Sequence, residues 1–517
     1  MNTTNLPLPQ LGQRPALCVM VLGTSSGAGK SWVTTALCRW YRNQGFKVAP
    51  FKAQNMSNHA RVVPAADGAW GEMGTAQYLQ ALAAGCEPDV RMNPLLLKPE
   101  ADTRSQVVLL GQVDLQLTQL PWRERSAQVW PHITQALDAL RSENDVVVIE
   151  GAGSPAEINL HASDVVNMRV ARHVQAHCLL VSDIDRGGAF AHLYGTWALL
   201  PPEEQTLIRG FVLNKFRGDA RLLAPAPQML LEKTGVPVVA TIPMQLRHGL
   251  PEEDGAFDAD VSGAGASGAA ASGVGAPGVS TLVQTTVAVV VYPRASNLDE
   301  FQPLLNVPGV RLVWARTPAQ LQGVDWVILP GTKATASDLR WLRSQGLDAA
   351  IAEHVAQGGR LWGICGGLQM LGEALIDLHG VDDNEAGLGL LPLVTVFEVE
   401  KRLCRAQVTM GALDAPWQAL TGLPMQVYEI HHGRTQLRDD MLAAGMLAHE
   451  RVPGMVWQSA DGRILASYWH GMLENAAVIT ALLGVSAPTL DSVFDRLAAG
   501  VDGWFASDAQ GSEAAGL

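Results

Sequence analysis

From Ser262 to Ser280 every residue is Gly, Ala or Ser except Val274, Pro277 and Val279. A tract of that composition cannot bury enough apolar surface to offset the entropy of ordering it, so no core runs through it. The acidic residues just before it, Glu252, Glu253, Asp254, Asp258 and Asp260, add to its solvation. The 517-residue chain is thereby divided into two halves, each of which must build its own core. The expected limits are 1–254 for the first unit, 255–284 for the linker and 285–517 for the second unit. With 48% hydrophobic and 17% charged residues, there is apolar material for both cores.

Both halves alternate short apolar runs with helical stretches, the pattern of an α/β fold with two parallel-sheet domains. Strand candidates in the first half are Val19–Leu22, Val146–Ile149, Leu179–Ser182, Phe211–Leu213 and Val236–Ala240. In the second they are Val287–Val291, Trp326–Leu329, Leu361–Ile364 and Ile464–Ser467. Continuous apolar runs of this kind suit strands covered on both faces.

Lys plus Arg number 37 and Asp plus Glu 50, a net charge of −13. An acidic surface repels phosphate backbones, which argues against a nucleic-acid partner but leaves room for a local basic pocket. The 6 cysteines form no C-x-x-C pair and match no zinc spacing. No run approaches the ~20 apolar residues that a bilayer span needs, and residues 1–16 lack a signal-peptide core. The expectation is a cytoplasmic protein without a membrane partner.

After the first strand comes Gly23-Thr24-Ser25-Ser26-Gly27-Ala28-Gly29-Lys30-Ser31, followed by a helical stretch to about Arg42. Glycines let the backbone wrap so that successive N–H groups point at phosphate oxygens. Lys30 would reach the outer phosphates of ATP, and the Ser31 hydroxyl would bind Mg²⁺. Five residues separate Gly23 from Gly29, one more than in the common P-loop, as in dethiobiotin synthetase-like enzymes. Two further strands run into acids, Glu150 in one case, Asp183 and Asp185 in the other. Carboxylates at strand ends beside a P-loop are candidate Mg²⁺ ligands. Glu72 is another metal candidate; Lys52 and Asn214, each just past or at the end of a strand, are candidates for the nucleotide itself.

In the second half, Gly363-Ile364-Cys365-Gly366-Gly367 follows one strand and precedes the helical Leu368–Leu375. A G-x-C-x-G turn of this kind exposes a nucleophile between strand and helix. The N–H after Cys365 is one oxyanion donor, and Leu329-Pro330-Gly331 after another strand offers a second. A base is needed: His470 follows a strand near the end of the domain, and His431 and His432 compete with it.

Taken together these motifs resemble the cobyric acid synthase family, glutamine-hydrolysing amidotransferases of cobalamin biosynthesis. The resemblance rests on Gly23–Ser31, Pro50–Ser57, Arg91–Pro94, Lys98-Pro99, Glu150–Asn159, Asp183–Gly188 and Asn214–Asp219. It continues through Leu329–Lys333, Gly363–Gly367, Tyr428–His431 and His470-Gly471. It implies an N-terminal dethiobiotin synthetase-like ATP domain joined to a C-terminal class I glutamine amidotransferase domain. It further implies Cys365 and His470 as the catalytic dyad, and glutamine, ATP and a corrinoid as substrates. The b, d, e and g carboxylates of adenosylcobyrinic acid a,c-diamide would be amidated. Two alternatives remain: a synthase for the a and c side chains, which lacks the Phe51–Asn55 and Ile184–Gly188 wording, and a P-loop regulatory ATPase with an inert Cys365. Most class I glutaminases carry a Glu two residues after the His. Here that position is Met472, with Glu474 nearby, and His432 stands where the family commonly has Met.

Overall fold

The computed structural model describes residues 4–10, 12, 14–65, 68–101, 104–245, 248–250, 285–438 and 447–506. The linker expected at 255–284 lies outside the described residues.

The first half is built on six strands. Their order is Val238–Pro243, Ile208–Phe216, His177–Asp183, Leu17–Gly23, Val146–Glu150, Val48–Phe51, and every pairing is parallel. Alternate residues of the central strand face opposite layers. Val19 and Val21 pack with Val33 and Leu37 of the helix Lys30–Asn43. Met20 and Leu22 pack with Ile133 and Leu137 of the helix Trp122–Glu143. From the central strand the chain passes first to one side of the sheet and later to the other. The loop after Gly23 therefore opens at the switch in strand order, where α/β sheets leave a crevice for ligands.

Between Phe51 and Trp122 an antiparallel hairpin and a small mixed sheet interrupt the α/β alternation. One is the hairpin of Ala60–Pro64 and Trp70–Gly74. The other is a four-stranded sheet in which Gln54–Met56 pairs with Leu95–Ala101. The strand Arg104–Leu109 continues that sheet.

The second half has seven strands, ordered Val310–Ala315, Thr285–Val290, Trp326–Leu329, Arg360–Ile364, Ile464–Ser467, Val456–Ser459, Ala448–Val452. The first five are parallel and the last two antiparallel. The helix expected over Leu368–Leu375 is instead Gly366–Leu371, and Ala374–Asp377 is a strand. The chain turns at Gly372, which is extended and so close to Leu393 that a Cβ would lie 2.5 Å from its carbonyl oxygen. A long hairpin, Leu393–Thr409 with Pro424–Leu437, leaves this unit and reaches the first half.

Residues 490–505 fall within the expected 285–517 unit yet pack on the first half. Val493, Phe494, Leu497 and Phe505 join Val33, Leu37 and Tyr41 in one buried cluster. Arg39 pairs with Asp491 at 3.0 Å and Asp495 at 2.7 Å. The helix Leu490–Ala499 is amphipathic, and its apolar face is the missing cover over Lys30–Asn43. Among the described residues no helix is long and apolar enough to cross a membrane.

Candidate active site

The loop Gly23–Ser31 encloses its own lysine. Lys30 Nζ donates to the Ser25 carbonyl at 3.0 Å and to the Gly153 carbonyl at 3.2 Å. Gly29 has φ +97°, and a Cβ there would lie 2.0 Å from Asn214 Nδ2, so glycine is required twice over. Asn214 donates to the Ala28 carbonyl at 2.8 Å and shapes the loop from the next strand but one. Thr24 donates through its hydroxyl to Ser182 Oγ at 3.1 Å.

Glu150 is the centre of this site. Its buried carboxylate accepts from Ser31 Oγ at 2.8 Å, Lys52 Nζ at 2.8 Å and Gln80 Nε2 at 2.5 Å. Burial alone would raise its pKa, but the Lys52 ammonium and the donated bonds outweigh this and hold it below the usual carboxylate range. A hydroxyl and a carboxylate side by side form the hard-oxygen donor pair that Mg²⁺ takes together with phosphate oxygens.

In the second half Cys365 sits between the strand Arg360–Ile364 and the helix Gly366–Leu371 with φ 52° and ψ −109°. Such a backbone costs of order 1–3 kcal/mol in a non-glycine residue. It is held by Cys365 N–H donating to Ser467 at 2.8 Å and Gln369 N–H donating to Cys365 at 3.1 Å. Gly367 makes the turn possible, since a Cβ there would lie 1.9 Å from the Leu329 carbonyl oxygen.

His470 comes toward Cys365 from the end of the strand Ile464–Ser467, close enough for the sulfur's charge to act on the imidazole, while the thiol itself donates to the Ile430 carbonyl at 3.7 Å. Its Nδ1 lies 2.8 Å from Glu300 Oε1, and the other oxygen of Glu300 accepts from Gly471 N–H at 2.8 Å. Tyr428 stacks on the imidazole at 5.1 Å and brackets its backbone with two hydrogen bonds. Burial would lower the pKa of His470, but Glu300 and Cys365 reverse that and push it up to about 10. A thiol, an imidazole and a carboxylate in this order have the geometry of a triad.

Two comparisons bear on this geometry. Residues 19–253 match the model of the CobQ/CobB/MinD/ParA nucleotide binding domain, and residues 286–478 match the CobB/CobQ-like glutamine amidotransferase domain. A cobyric acid synthase of Paracidovorax citrulli is 68% identical over 95% of this chain and 97% of its own length. Those of Acidovorax sp. and Variovorax paradoxus are 68% and 64% identical, each over 94% of this chain and at least 96% of their own lengths. The chain belongs to the cobyric acid synthase family. It is a glutamine-hydrolysing ligase of cobalamin biosynthesis, with a nucleotide-binding P-loop domain followed by a glutamine amidotransferase domain.

Within this family member the expected site residues fall into two groups. Gly23, Thr24, Gly29, Lys30, Ser31, Lys52, Asn214 and Glu150 all converge on the P-loop. Glu72 does not join them. Both of its oxygens are taken by ammonium groups, Lys98 at 2.7 Å and Lys401 from the other half. With Lys98 from the first half and Lys401 from the second on its two oxygens, Glu72 lies at the seam between the halves, while Ser31 is bonded to Glu150. Burial outweighs the pull of Glu72 and, helped by the charges of Lys98 and Lys333, brings Lys401 down to about 7.

Of the competing histidines, His431 stacks on Tyr468 at 3.9 Å and its Nδ1 lies 2.9 Å from the Gly433 carbonyl. His432 lines the Cys365 pocket, but burial and the nearby lysines bring its pKa down to about 4. Glu474 pairs with Arg61 at 2.5 Å. The acid that the sequence reading missed is Glu300. Nothing local marks it, because it lies 170 positions before His470 in a short turn, Leu298–Phe301.

Proposed function

We propose that this chain amidates the b, d, e and g carboxylates of adenosylcobyrinic acid a,c-diamide, giving adenosylcobyric acid, with glutamine as nitrogen donor and ATP as activator. The supporting observation is the pocket at Cys365. It is lined by Thr335, Gln369 and His432 of the second half and by Asn58 and Lys98 of the first. The thiol that frees ammonia thus opens on a cavity shared with the nucleotide-binding half.

Cys365 attacks the glutamine carboxamide, and the oxyanion forms beside the backbone of Gly366. His470, protonated and held by Glu300, gives its proton to the departing ammonia. Water then hydrolyses the thioester to glutamate. In the first half the corrinoid carboxylate attacks the terminal phosphate of ATP, producing an acyl phosphate and ADP. Ammonia displaces phosphate and leaves the amide. Activation is needed because a carboxylate is a poor electrophile.

Ser31 and Glu150 would hold Mg²⁺, whose charge offsets that of the phosphates. Lys30 compensates charge on the transferred phosphoryl group. Lys98, Arg104, Arg186 and Arg217 are candidates for a basic corrinoid patch. Lys98 is engaged by Glu72, whereas Arg186 and Arg217 are exposed and pair with Asp183 and Asp185 near the P-loop. The working division is a synthetase domain over 1–254, a linker over 255–284 and a glutaminase domain over 285–517, of which residues 490–505 pack on the synthetase core. We place the enzyme in the cytoplasm, where ATP and glutamine are available.

The test is a corrinoid panel incubated with ATP and amide-¹⁵N glutamine, read by mass spectrometry. Four successive amide additions to the a,c-diamide are expected. Amidation of a corrinoid lacking the a and c amides, with none on the a,c-diamide, would overturn the assignment.

A further inference from the structure

The orienting acid Glu300 sits in a turn that the other half of the molecule holds. Asn297, just before the turn, has φ 56° and ψ 33°. Its side-chain oxygen accepts from Ala60 N–H at 3.0 Å. Leu298 N–H donates to His59 Nδ1 at 3.3 Å. Asp299, adjacent to Glu300 in the chain, is paired with the guanidinium of Arg61. His59, Ala60 and Arg61 belong to the first half; Asn297 to Glu300 belong to the second.

Arg61 also reaches the other side of His470. Its guanidinium lies 2.5 Å from Glu474 and 5.0 Å from the ring centre of Tyr428, the residue stacked on the imidazole. It stands equally over Tyr78, at 5.4 Å. The residue is 3% exposed, and it is not among the residues that line the Cys365 pocket. One buried guanidinium of the ATP half is therefore bonded to the residue beside the acid and packed on the residue beside the base. A planar fork with fixed donor directions transmits position better than a mobile point charge.

We infer that Arg61 is a positioning residue for glutamine hydrolysis, completing from the synthetase half the alignment of Glu300 and His470 in the glutaminase half. This rests on the assignment of Cys365 and His470 above. Docking of the halves then sets the hydrolytic rate. A glutaminase half that loses its contact with Arg61 keeps its thiol but holds the imidazole less firmly. Ammonia is thus released at full rate only where the ATP half is in place to use it.

The experiment compares Arg61→Ala and Arg61→Lys in the full chain, each checked for folding by thermal melt. Glutamine-supported and ammonia-supported amidation of the a,c-diamide are measured in parallel. The pH profile of Cys365 alkylation by iodoacetamide is followed by peptide mass spectrometry. Arg61→Ala is expected to lower kcat with glutamine at least tenfold, with KM for glutamine changed less than threefold. Its Cys365 alkylation profile shifts to higher pH, and ammonia-supported amidation stays within twofold of wild type. Arg61→Lys, which keeps the charge but not the fork, loses less and shifts in the same direction. If Arg61→Ala does not fold, because Asp299 and Glu474 lose its buried charge, Arg61→Lys decides by the same measurements. An unchanged kcat, a change in KM alone, or a parallel fall with ammonia would overturn the inference. Full glutamine-supported activity in Cys365→Ala would instead overturn the underlying dyad, whatever Arg61 does.

Discussion

His470 Nδ1 and Glu300 Oε1 lie 2.8 Å apart across 170 residues of sequence. The same carboxylate takes the next backbone N–H, at Gly471, so it fixes both the imidazole and the turn that carries it. A position two residues after the histidine, where an orienting Glu is common, is here the buried Met472. The orienting role has moved to a different element while its geometry is kept. Triad chemistry is defined by such geometry and not by order along the chain.

Glu300→Gln keeps the shape and removes the charge. Glutamine-supported turnover should fall by about 10²-fold or more, since a carboxamide neither selects the productive tautomer nor stabilises the imidazolium. Ammonia-supported amidation should be spared. Steady-state assays with the two nitrogen sources check this.

The pH dependence follows from the same pair. His470 has its pKa raised to about 10 in the folded protein, against burial, by Glu300 and Cys365. A raised pKa means the folded state holds the proton more tightly than the unfolded chain. The stabilisation is complete below the unfolded value near 6.5 and is lost as pH rises through about 10. Glutamine hydrolysis, which needs the imidazolium as acid, should therefore have an alkaline limb near that value. In Glu300→Gln the limb should move to lower pH. An unmoved limb in a pH–rate profile would separate His470 from the acid role.

Cys365→Ala should abolish glutamine-supported amidation and leave ammonia-supported amidation at high ammonium and raised pH, where free NH₃ is present. In the proposed reaction the carboxylate is activated at Gly23–Ser31, in the other half of the molecule from the thiol. Parallel assays with mass spectrometry of the corrinoid decide it. Loss of both activities in a folded variant would place Cys365 in the synthetase reaction.

Lys30→Ala should remove amidation from both nitrogen sources by orders of magnitude, because phosphoryl transfer depends on charge compensation in the transition state. Basal glutamine hydrolysis should persist. ADP release coupled to corrinoid amidation is the readout.

Phe494→Ala tests the return of the C-terminus onto the first half. Phe494 is fully buried against the helix that follows the P-loop. Truncation should cost about 3–5 kcal/mol. The loss should appear in the denaturation transition of the ATP half, followed by nucleotide protection against urea.

Much of this molecule is encoded locally. The buried strands Leu17–Gly23, Val146–Glu150, Trp326–Leu329 and Arg360–Ile364 are legible because a strand covered on both faces is a continuous apolar run. The P-loop and the turn at Cys365 are legible because a sharp strand-to-helix turn with close backbone approach demands glycines at set spacings within a few residues. Strands such as Val310–Ala315, only partly buried, carry no such run and escaped notice. So did the hairpin Ala60–Pro64 with Trp70–Gly74, which interrupts the α/β alternation. What the sequence by itself determined is the two-unit α/β plan, the glycine-rich loop after the first strand and the strand-to-helix turn that carries Cys365. Only the tertiary structure decided that Glu300 orients His470, that Glu72 bridges the halves, that Arg61 clamps the turn carrying Glu300, and that residues 490–505 complete the first core. Each of these is a meeting of groups far apart in the chain. Charges and apolar faces choose partners by distance and burial in space, and no window of sequence contains that distance.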